Sequence, residues 1–560
     1  MCDNKESNNQ KHNEQSVADA HQTDSGITRA QFLRGSGFGI AGLAALGIMG
    51  GCSSSTVGKN EDSNPKTPEV PVMEIGLETV LSLSDKSYEA DVVIAGSGAA
   101  GMAAAVEAAS QGVSVILVEA GGTLGGSTAF AEGLLGLNTK YQRARGISND
   151  VEEAVAAELV GSAYLANIYL LRGFLRSADE NIEWLEEHGV TFLPEPNTIN
   201  PLNTYQHFYD GRGKTAIAAL AKNAESMGAD LRLNTRVKRV ILEEGALQGV
   251  TVESDDGEYL IATKALILAT GGFLQNPELF DEKFPYPSRR IMNIGAPHHY
   301  GDGYLIAKAA GGDQHGVCSP GWVWAGLKSF DIHSELSTAA CNEPYLWVNE
   351  AGERFIPESL LLKFSTICNA ILSQKRVFSI LTQTEVDRLM SEGCTVGWGS
   401  YILTGAKLGD LQNQLDKAIA NNPEGFYYAD SLDGIAKAIN VDPSILRKTI
   451  TDYNMMVENG EDTEFGKPKQ FLHTVPVEDR YYAFELMANA TNLTGGIVIN
   501  PACEVIDENG KPISGLYGAG ADCSGLTGFT YFSTLGGAKQ SFSIYTGRTA
   551  AKSAVRYVSS

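Results

Sequence analysis

Gly96-Ser97-Gly98-Ala99-Ala100-Gly101 narrows the fold of this chain more than any other stretch. It follows Asp91-Val92-Val93-Ile94-Ala95, a short apolar run that reads as a buried parallel strand. It opens an alanine-rich segment, residues 102–109, that favours helix. A second apolar run, Val113-Ser114-Val115-Ile116-Leu117-Val118, then ends at Glu119. The unit is strand, glycine turn, helix, strand, acid. Gly96 permits the tight turn, Gly98 lets the backbone approach a pyrophosphate, and Gly101 lets helix and strand pack closely. The helix N-terminus would face the phosphates, and Glu119 stands where a carboxylate accepts hydrogen bonds from a ribose.

The chain has 560 residues, enough for about two domains. Its formal charge of −24 argues against nucleic-acid binding, and against anionic membranes held through broad basic surfaces. Residues 1–27 are polar, and Thr28-Arg29-Ala30-Gln31-Phe32-Leu33-Arg34 then leads into a small, apolar run, 35–51. That run is too short and glycine-rich for a membrane span, and describes a secretory signal. Met49-Gly50-Gly51-Cys52 resembles a bacterial lipoprotein processing site, which would leave Cys52 lipid-modified. The basic segment resembles a twin-arginine export motif with Ala30 in place of the second arginine. The expectation is an exported protein, lipid-anchored at Cys52 on the cell-surface or periplasmic face of the membrane. Residues 53–84 read as a flexible tether. The body's cysteines form no C-x-x-C pair, so no zinc site, iron–sulfur cluster or haem attachment is signalled, and free buried thiols are expected.

Past Glu119, Gly121-Gly122-Thr123-Leu124-Gly125-Gly126-Ser127-Thr128 suits a backbone running along a ligand. Residues 150–188 are helical in pattern, and another helix is expected from Thr215 to Met227. Lys264-Ala265-Leu266-Ile267-Leu268-Ala269-Thr270-Gly271-Gly272 is a buried strand running into a glycine turn. Shorter mixed elements follow over 315–485, with four of the five tryptophans. The strand–turn pattern returns at Ile513–Asp522, and a closing helix runs near Gly536 to Ser559. This layout predicts one discontinuous dinucleotide-binding domain interrupted by a capping insertion, with the reaction site in the cleft between them.

The GxGxxG unit, Gly-Gly-Ser-Thr at 125–128, Ala-Thr-Gly-Gly-Phe at 269–273, Gly-Asp-Gly at 301–303, Val-Asn-Glu-Ala-Gly-Glu-Arg-Phe at 348–355 and Gly-Leu-Tyr-Gly-Ala-Gly at 515–520 occur in this order. Together they resemble the flavoprotein family of soluble fumarate reductases, urocanate reductases and 3-ketosteroid dehydrogenases. The resemblance implies an α/β fold, with a Rossmann-like FAD-binding domain of glutathione-reductase type interrupted by an α+β capping domain. The expected boundaries are 1–52 signal, 53–84 tether, 85–314 first FAD-binding part, 315–488 cap and 489–560 second FAD-binding part. It also implies FAD as cofactor and hydride exchange with a carbon–carbon bond. Gly96, Gly98, Ala99, Ala100 and Gly101 would hold the pyrophosphate, and Glu119 and Ala120 the adenosine ribose. Gly126, Ser127 and Thr128 would line the flavin, Val237 would lie beside the adenine, and Asp302 would hydrogen-bond the cofactor. Gly133, Ala269, Thr270, Gly271, Gly520, Ala521, Gly537 and Gln540 complete the expected cofactor residues. Ser127 stands where some relatives carry a flavin-linking histidine, so the FAD is expected to be non-covalent.

Three positions that carry basic groups in fumarate reductases are occupied here by Leu362, Asn492 and Thr534. A small dicarboxylate needs fixed cations, so fumarate is a poor fit. Gly528-Phe529-Thr530-Tyr531 resembles the ketosteroid-dehydrogenase segment that places a tyrosine near the substrate ketone. Tyr531 is the candidate catalytic residue, since a phenol can polarise a carbonyl or donate a proton. His207 and Tyr209 are weaker candidates. Trp322, Trp324, Trp347 and Trp398 would line an aromatic or polycyclic substrate pocket, or simply form cap core. Arg354 reads as an anchor of the cap. No second nicotinamide-type unit is present, so a separate electron-transfer protein or quinone-linked chain is expected as partner to the small organic substrate. The favoured activity is reduction of an activated C=C bond. The alternatives are the reverse, 3-ketosteroid 1-dehydrogenase-like reaction, or a non-catalytic FAD-binding surface lipoprotein.

Overall fold

The computed structural model describes residues 87–194, 205–397, 402–531 and 535–560. The expectations for the leader, Cys52 and the tether, and for Trp398 and Thr534, fall outside the described residues. Strands Val92–Ala95, Val115–Val118 and Ala265–Leu268 bury every side chain, so each must be covered on both faces. They lie side by side in a parallel sheet, with Val92 opposite both Val115 and Ala265. Pro512–Gly518 extends this sheet on one side and Asp230–Arg232 on the other, both parallel. The sheet thus draws neighbours from opposite ends of the chain. An antiparallel meander, Arg236–Glu243, Ala246–Ser254 and Gly257–Ala262, continues it beyond Pro512–Gly518.

Two helices cover the centre of the sheet. The first, Ala99–Ser110, is buried at every residue but Ser110, which its alanines allow because they bring little bulk. The closing helix, Ala538–Val558, packs against it. Arg548 fixes the pair by donating to Glu107 at 3.0 Å and to Asn181 at 2.6 Å. The helical pattern over 150–188 is three helices, Val151–Gly161, Ile168–Arg176 and Ala178–Glu187, the second and third separated by Ser177 alone.

A second sheet gathers on the long strand Tyr481–Gly495. Ile291–Asn293 runs parallel to it, and Cys318–Leu327, Val377–Thr382 and Phe426–Ala429 run antiparallel. Its apolar cluster contains Trp322, Trp347, Phe378 and Phe484. The first sheet and its helices hold another cluster, drawn from residues before 308 and after 496. Among the described residues no helix is long and apolar enough to cross a membrane.

Candidate active site and cofactor cavity

Parallel strands leave a crevice where their carboxyl ends meet the following turns. Here it is a cavity bounded by the turn after Val92–Ala95, the loop 119–128, the turn 269–271, the loop 297–302 and the start of the closing helix. The expected cofactor residues line it except Gly101, Gly133, Gly520 and Gly537. Those four stand behind the wall. Gly133 abuts the His207 carbonyl, Gly537 the Leu134–Leu135 backbone, and Gly520 the Ala100 side chain.

At Gly96 φ is +103°, and a Cβ would sit 2.2 Å from the Ala269 carbonyl oxygen, so only glycine fits. At Gly101 a Cβ would lie 1.8 Å from the Gly96 carbonyl oxygen and 3.5 Å from Ile94 Cγ2, so the helix packs on the turn and on the end of the strand before it. A Cβ at Gly98 meets nothing closer than Thr128 Oγ1 at 3.8 Å and would simply fill the cradle. The Glu119 carboxylate is pinned: Oε2 accepts from Ser97 Oγ at 2.6 Å and Ser97 N at 3.0 Å, and Oε1 from Gly121 N at 2.7 Å. Three of roughly four lone-pair sites are thus used, leaving about one for a ligand hydroxyl. Sequence reasoning missed Ser97, whose hydroxyl also accepts from Gly125 N at 2.9 Å.

Asp302 faces the cavity and is gripped by Arg236, whose Nε and Nη2 donate to its two oxygens at 2.7 and 2.6 Å. That bidentate pair raises the already high guanidinium pKa. Behind the turn, fully buried Asp522 accepts from the Thr270 amide, from Thr270 Oγ1 at 3.0 Å and from the Gly272 amide at 2.7 Å. Burial pushes its carboxyl up to about 6 against the pull of those donors. Nothing in the local sequence separates this aspartate from a surface turn residue.

At the start of the closing helix stands Lys539, 9% exposed, which sequence reasoning also missed. Its Nζ donates to Asn492 Oδ1 at 2.6 Å and lies 4.5 Å from the centre of the Tyr531 ring. Burial holds the amine down to about 7. Tyr531 is not among the residues lining this cavity; its ring lies against Lys539 Nζ. Burial, helped by Glu158, raises its phenol, so it stays protonated at neutral pH. His299 also lines the cavity, neutral because burial lowers it to about 4.

Other candidates lie elsewhere. His207 is buried and bonded to Thr139 Oγ1 at 2.7 Å, and Tyr209 stacks on Phe192. Trp322 and Trp347 are fully buried core, and Trp324 is nearly so. The six body cysteines are buried thiols, none in a disulfide, and no described group of three or more His, Cys, Asp or Glu is placed to hold a metal ion.

The wall suits a long, polar, anionic ligand. Gly98, at the N-cap of the first helix, has no side chain with which to cap the amides that follow, and Thr128 Oγ1 accepts from only one of them, Ala99 N, at 3.0 Å. His299 Nδ1 and Gln540 Oε1 are buried without a partner, although both side chains line the cavity. Each is a hydrogen-bonding atom left for a bound molecule to satisfy.

Fold and cavity together define a dinucleotide-binding enzyme of the open α/β type. Residues 91–537 match the family described as the FAD binding domain; the chain belongs to that family, is an FAD-dependent oxidoreductase, and uses FAD as its cofactor. It is 34% identical over 477 residues to the vinyl phenol reductase of Lactiplantibacillus plantarum, covering 83% of this chain and 96% of the relative. It is 28% identical over 484 residues to the fumarate reductase (cytochrome) of Shewanella frigidimarina, covering 83% of this chain and 77% of that one. The open conformation of a flavocytochrome c3 fumarate reductase superposes with a TM-score of 0.65 at 24% identity, over 86% of this chain and 80% of its own, and shares the fold.

Proposed function

We propose that this protein reduces a C=C bond conjugated to an aromatic ring or a carbonyl, and that small dicarboxylates are not its substrates. One observation carries the substrate side. Arg236 is already paired with Asp302, which leaves Lys539 as the one amine lining the described cavity, and its partner Asn492 is neutral. A single amine suits one phenolic or carbonyl oxygen, whereas a dicarboxylate requires several cations. The likeness to a vinyl phenol reductase points the same way.

Bound FAD would supply hydride. The pyrophosphate would rest on the amides after Gly98, the ribose on Glu119, and the remaining polar groups on Asp302, Thr270 and Gln540. Ser127 Oγ donates to the Thr491 carbonyl at 3.2 Å, and we infer that the cofactor is held without a covalent link. Tyr531 would supply the proton, with Lys539 orienting its ring. Electrons would come from a separate electron-transfer protein or quinone-linked chain, and export with lipid anchoring at Cys52 completes the reading.

The test is reoxidation. The FAD-loaded enzyme, reduced by a viologen dye without oxygen, is mixed with 4-vinylphenol, an aryl enone, an enoate, fumarate or a 3-ketosteroid. Flavin absorbance should recover with the aryl alkene or enone, and on the order of a hundredfold more slowly with fumarate. Tyr531→Phe should retain FAD and lose roughly 10²–10⁴ in turnover. Recovery with fumarate alone, or with none of these, refutes the reading. Reduction of the oxidised enzyme by a ketosteroid would reverse its direction.

Glu119→Ala removes an acceptor shared by Ser97 and Gly121 and expected to hold the ribose. Fluorescence titration should show FAD bound about 10–100-fold more weakly, from the loss of one or two charge-assisted hydrogen bonds.

A further inference from the structure

Lys539 is the second residue of the closing helix, and its burial is not offset by a carboxylate. Among the described residues it makes no ion pair; its Nζ has Asn492 Oδ1 at 2.6 Å and the Tyr531 ring at 4.5 Å. The helix N-terminus adds partial positive charge at the same place. Such a group is comfortable as a neutral amine, and becomes comfortable as an ammonium when negative charge enters the cavity beside it.

We propose that Lys539 is the second proton acceptor of cofactor reduction, its amine taking up a proton as two electrons enter FAD. Two electrons and one proton convert the cofactor to its anionic reduced form, and a second proton from solvent converts the Lys539 amine to ammonium. The charge of the cavity is then unchanged by the step. The electrons come from the separate donor already invoked, or from a low-potential dye in the laboratory. Cations near a bound flavin are a known lever on its electronics; this one can be switched by a proton.

The groups around Lys539 leave the assignment to it. Asn492 faces it from Tyr481–Gly495, the Gly321 backbone from Cys318–Leu327, and Tyr531 from the segment before the helix. Of these only Tyr531 titrates, and burial raises its phenol further from neutrality. The cavity's other ionisable groups are Glu119, Arg236, Asp302, His298 and His299. Arg236 and Asp302 are committed to each other, Glu119 to Ser97 and Gly121, His299 is kept neutral by burial down to about 4, and His298 is exposed beside Gly121, at the Glu119 end of the cavity. In the free protein the Lys539 amine titrates near 7, which sets the range to examine.

The inference rests on the closing helix lining the flavin end of the cavity, and not on which alkene is reduced. Its test is the flavin midpoint potential, measured by dye equilibration from pH 7 to 8.5 on the FAD-loaded protein. Two protons per two electrons give a slope of about 59 mV per pH unit, and one proton gives about 30 mV. The wild type should follow the steeper slope. Lys539→Met should follow the shallower one, with flavin absorbance showing that FAD is bound. Lys539→Arg, charged throughout, should also follow the shallower slope, at a more positive potential than Lys539→Met, and it serves if the methionine variant does not fold. Counting protons taken up from weakly buffered solution during anaerobic reduction should give two for the wild type and one for each variant. Equal slopes and equal proton counts in all three proteins would overturn the proposal while leaving the alkene assay standing. Failure of that assay alone would remove the substrate reading and leave this one.

Discussion

Gly96→Ala should leave a chain that cannot hold FAD and melts far below the wild type. The added methyl group would sit 2.2 Å from the Ala269 carbonyl oxygen, in a residue whose φ is +103°. The backbone conformation alone costs an alanine on the order of 1–3 kcal/mol, and overpacking between two buried strands costs about as much again. Against a typical stability of about 5–15 kcal/mol this is a large fraction. Moving Ala269 away is no remedy, because Leu268 and Ala95 are paired in the same sheet. Gly98→Ala is the informative companion. Its methyl group has room, so the apo protein should melt as the wild type does while FAD binding falls by at least about tenfold. Thermal unfolding monitored by circular dichroism, with flavin absorbance per mole of protein, separates the two effects. Wild-type FAD content in Gly96→Ala would refute the turn geometry.

Arg354→Met should be almost as damaging, for an electrostatic reason. Arg354 donates to Glu358 at 3.0 Å through both Nε and Nη2, and to Asp462 at 2.8 Å through Nη2. The three side chains are 1%, 0% and 0% exposed. Lys467 is the other cation, 3.4 Å from Glu358, and burial lowers its pKa. Without Arg354 two buried carboxylates share one lysine whose own charge is disfavoured. Breaking a pair of this kind costs about 3–5 kcal/mol. Burial alone would raise Asp462, but Arg354 and the Phe465 and Lys467 amides outweigh it and hold the carboxyl at about 2. In the wild type its contribution is therefore present above its ordinary value of 3.8 and lost as pH falls through about 2. In the variant burial acts on Asp462 without that guanidinium, so its carboxyl must rise, and a raised carboxyl stabilises the folded state at low pH. The deficit against wild type should thus shrink between pH 7 and 5. A deficit independent of pH, or below about 1 kcal/mol, would mean the network is not strongly coupled.

The chemistry legible in the sequence is the chemistry made by neighbours in the chain. The turn at 96–101 declares itself because strand, glycine, helix and acid follow in order, and Glu119 meets Ser97 across a gap of only 22 residues. Arg354 was readable as an anchor, but its partners were not, since Asp462 lies 108 residues away. Lys539 escaped notice for the same reason. A lysine after two glycines at a helix start reads as a solvated side chain, and only Gly321 and Asn492, brought in by the second sheet, bury it. Tyr531 was picked out from its segment, yet the segment could not say that the Lys539 amine lies against its ring. The tryptophans left two readings open, since large aromatic side chains suit a pocket or a core equally, and Trp322 and Trp347 went to the core.

The strand Pro512–Gly518 lies in the interior of the first sheet, against Ala265–Leu268, and the helix Ala538–Val558 covers the opening helix. A nascent chain that has not yet emerged past these segments holds an open seam where hydrogen-bonding partners are owed, with one flank of its nucleotide crevice absent. FAD therefore has a complete berth only once the helix Ala538–Val558 has emerged. A chain released before Pro512 has been added should be sticky and devoid of colour.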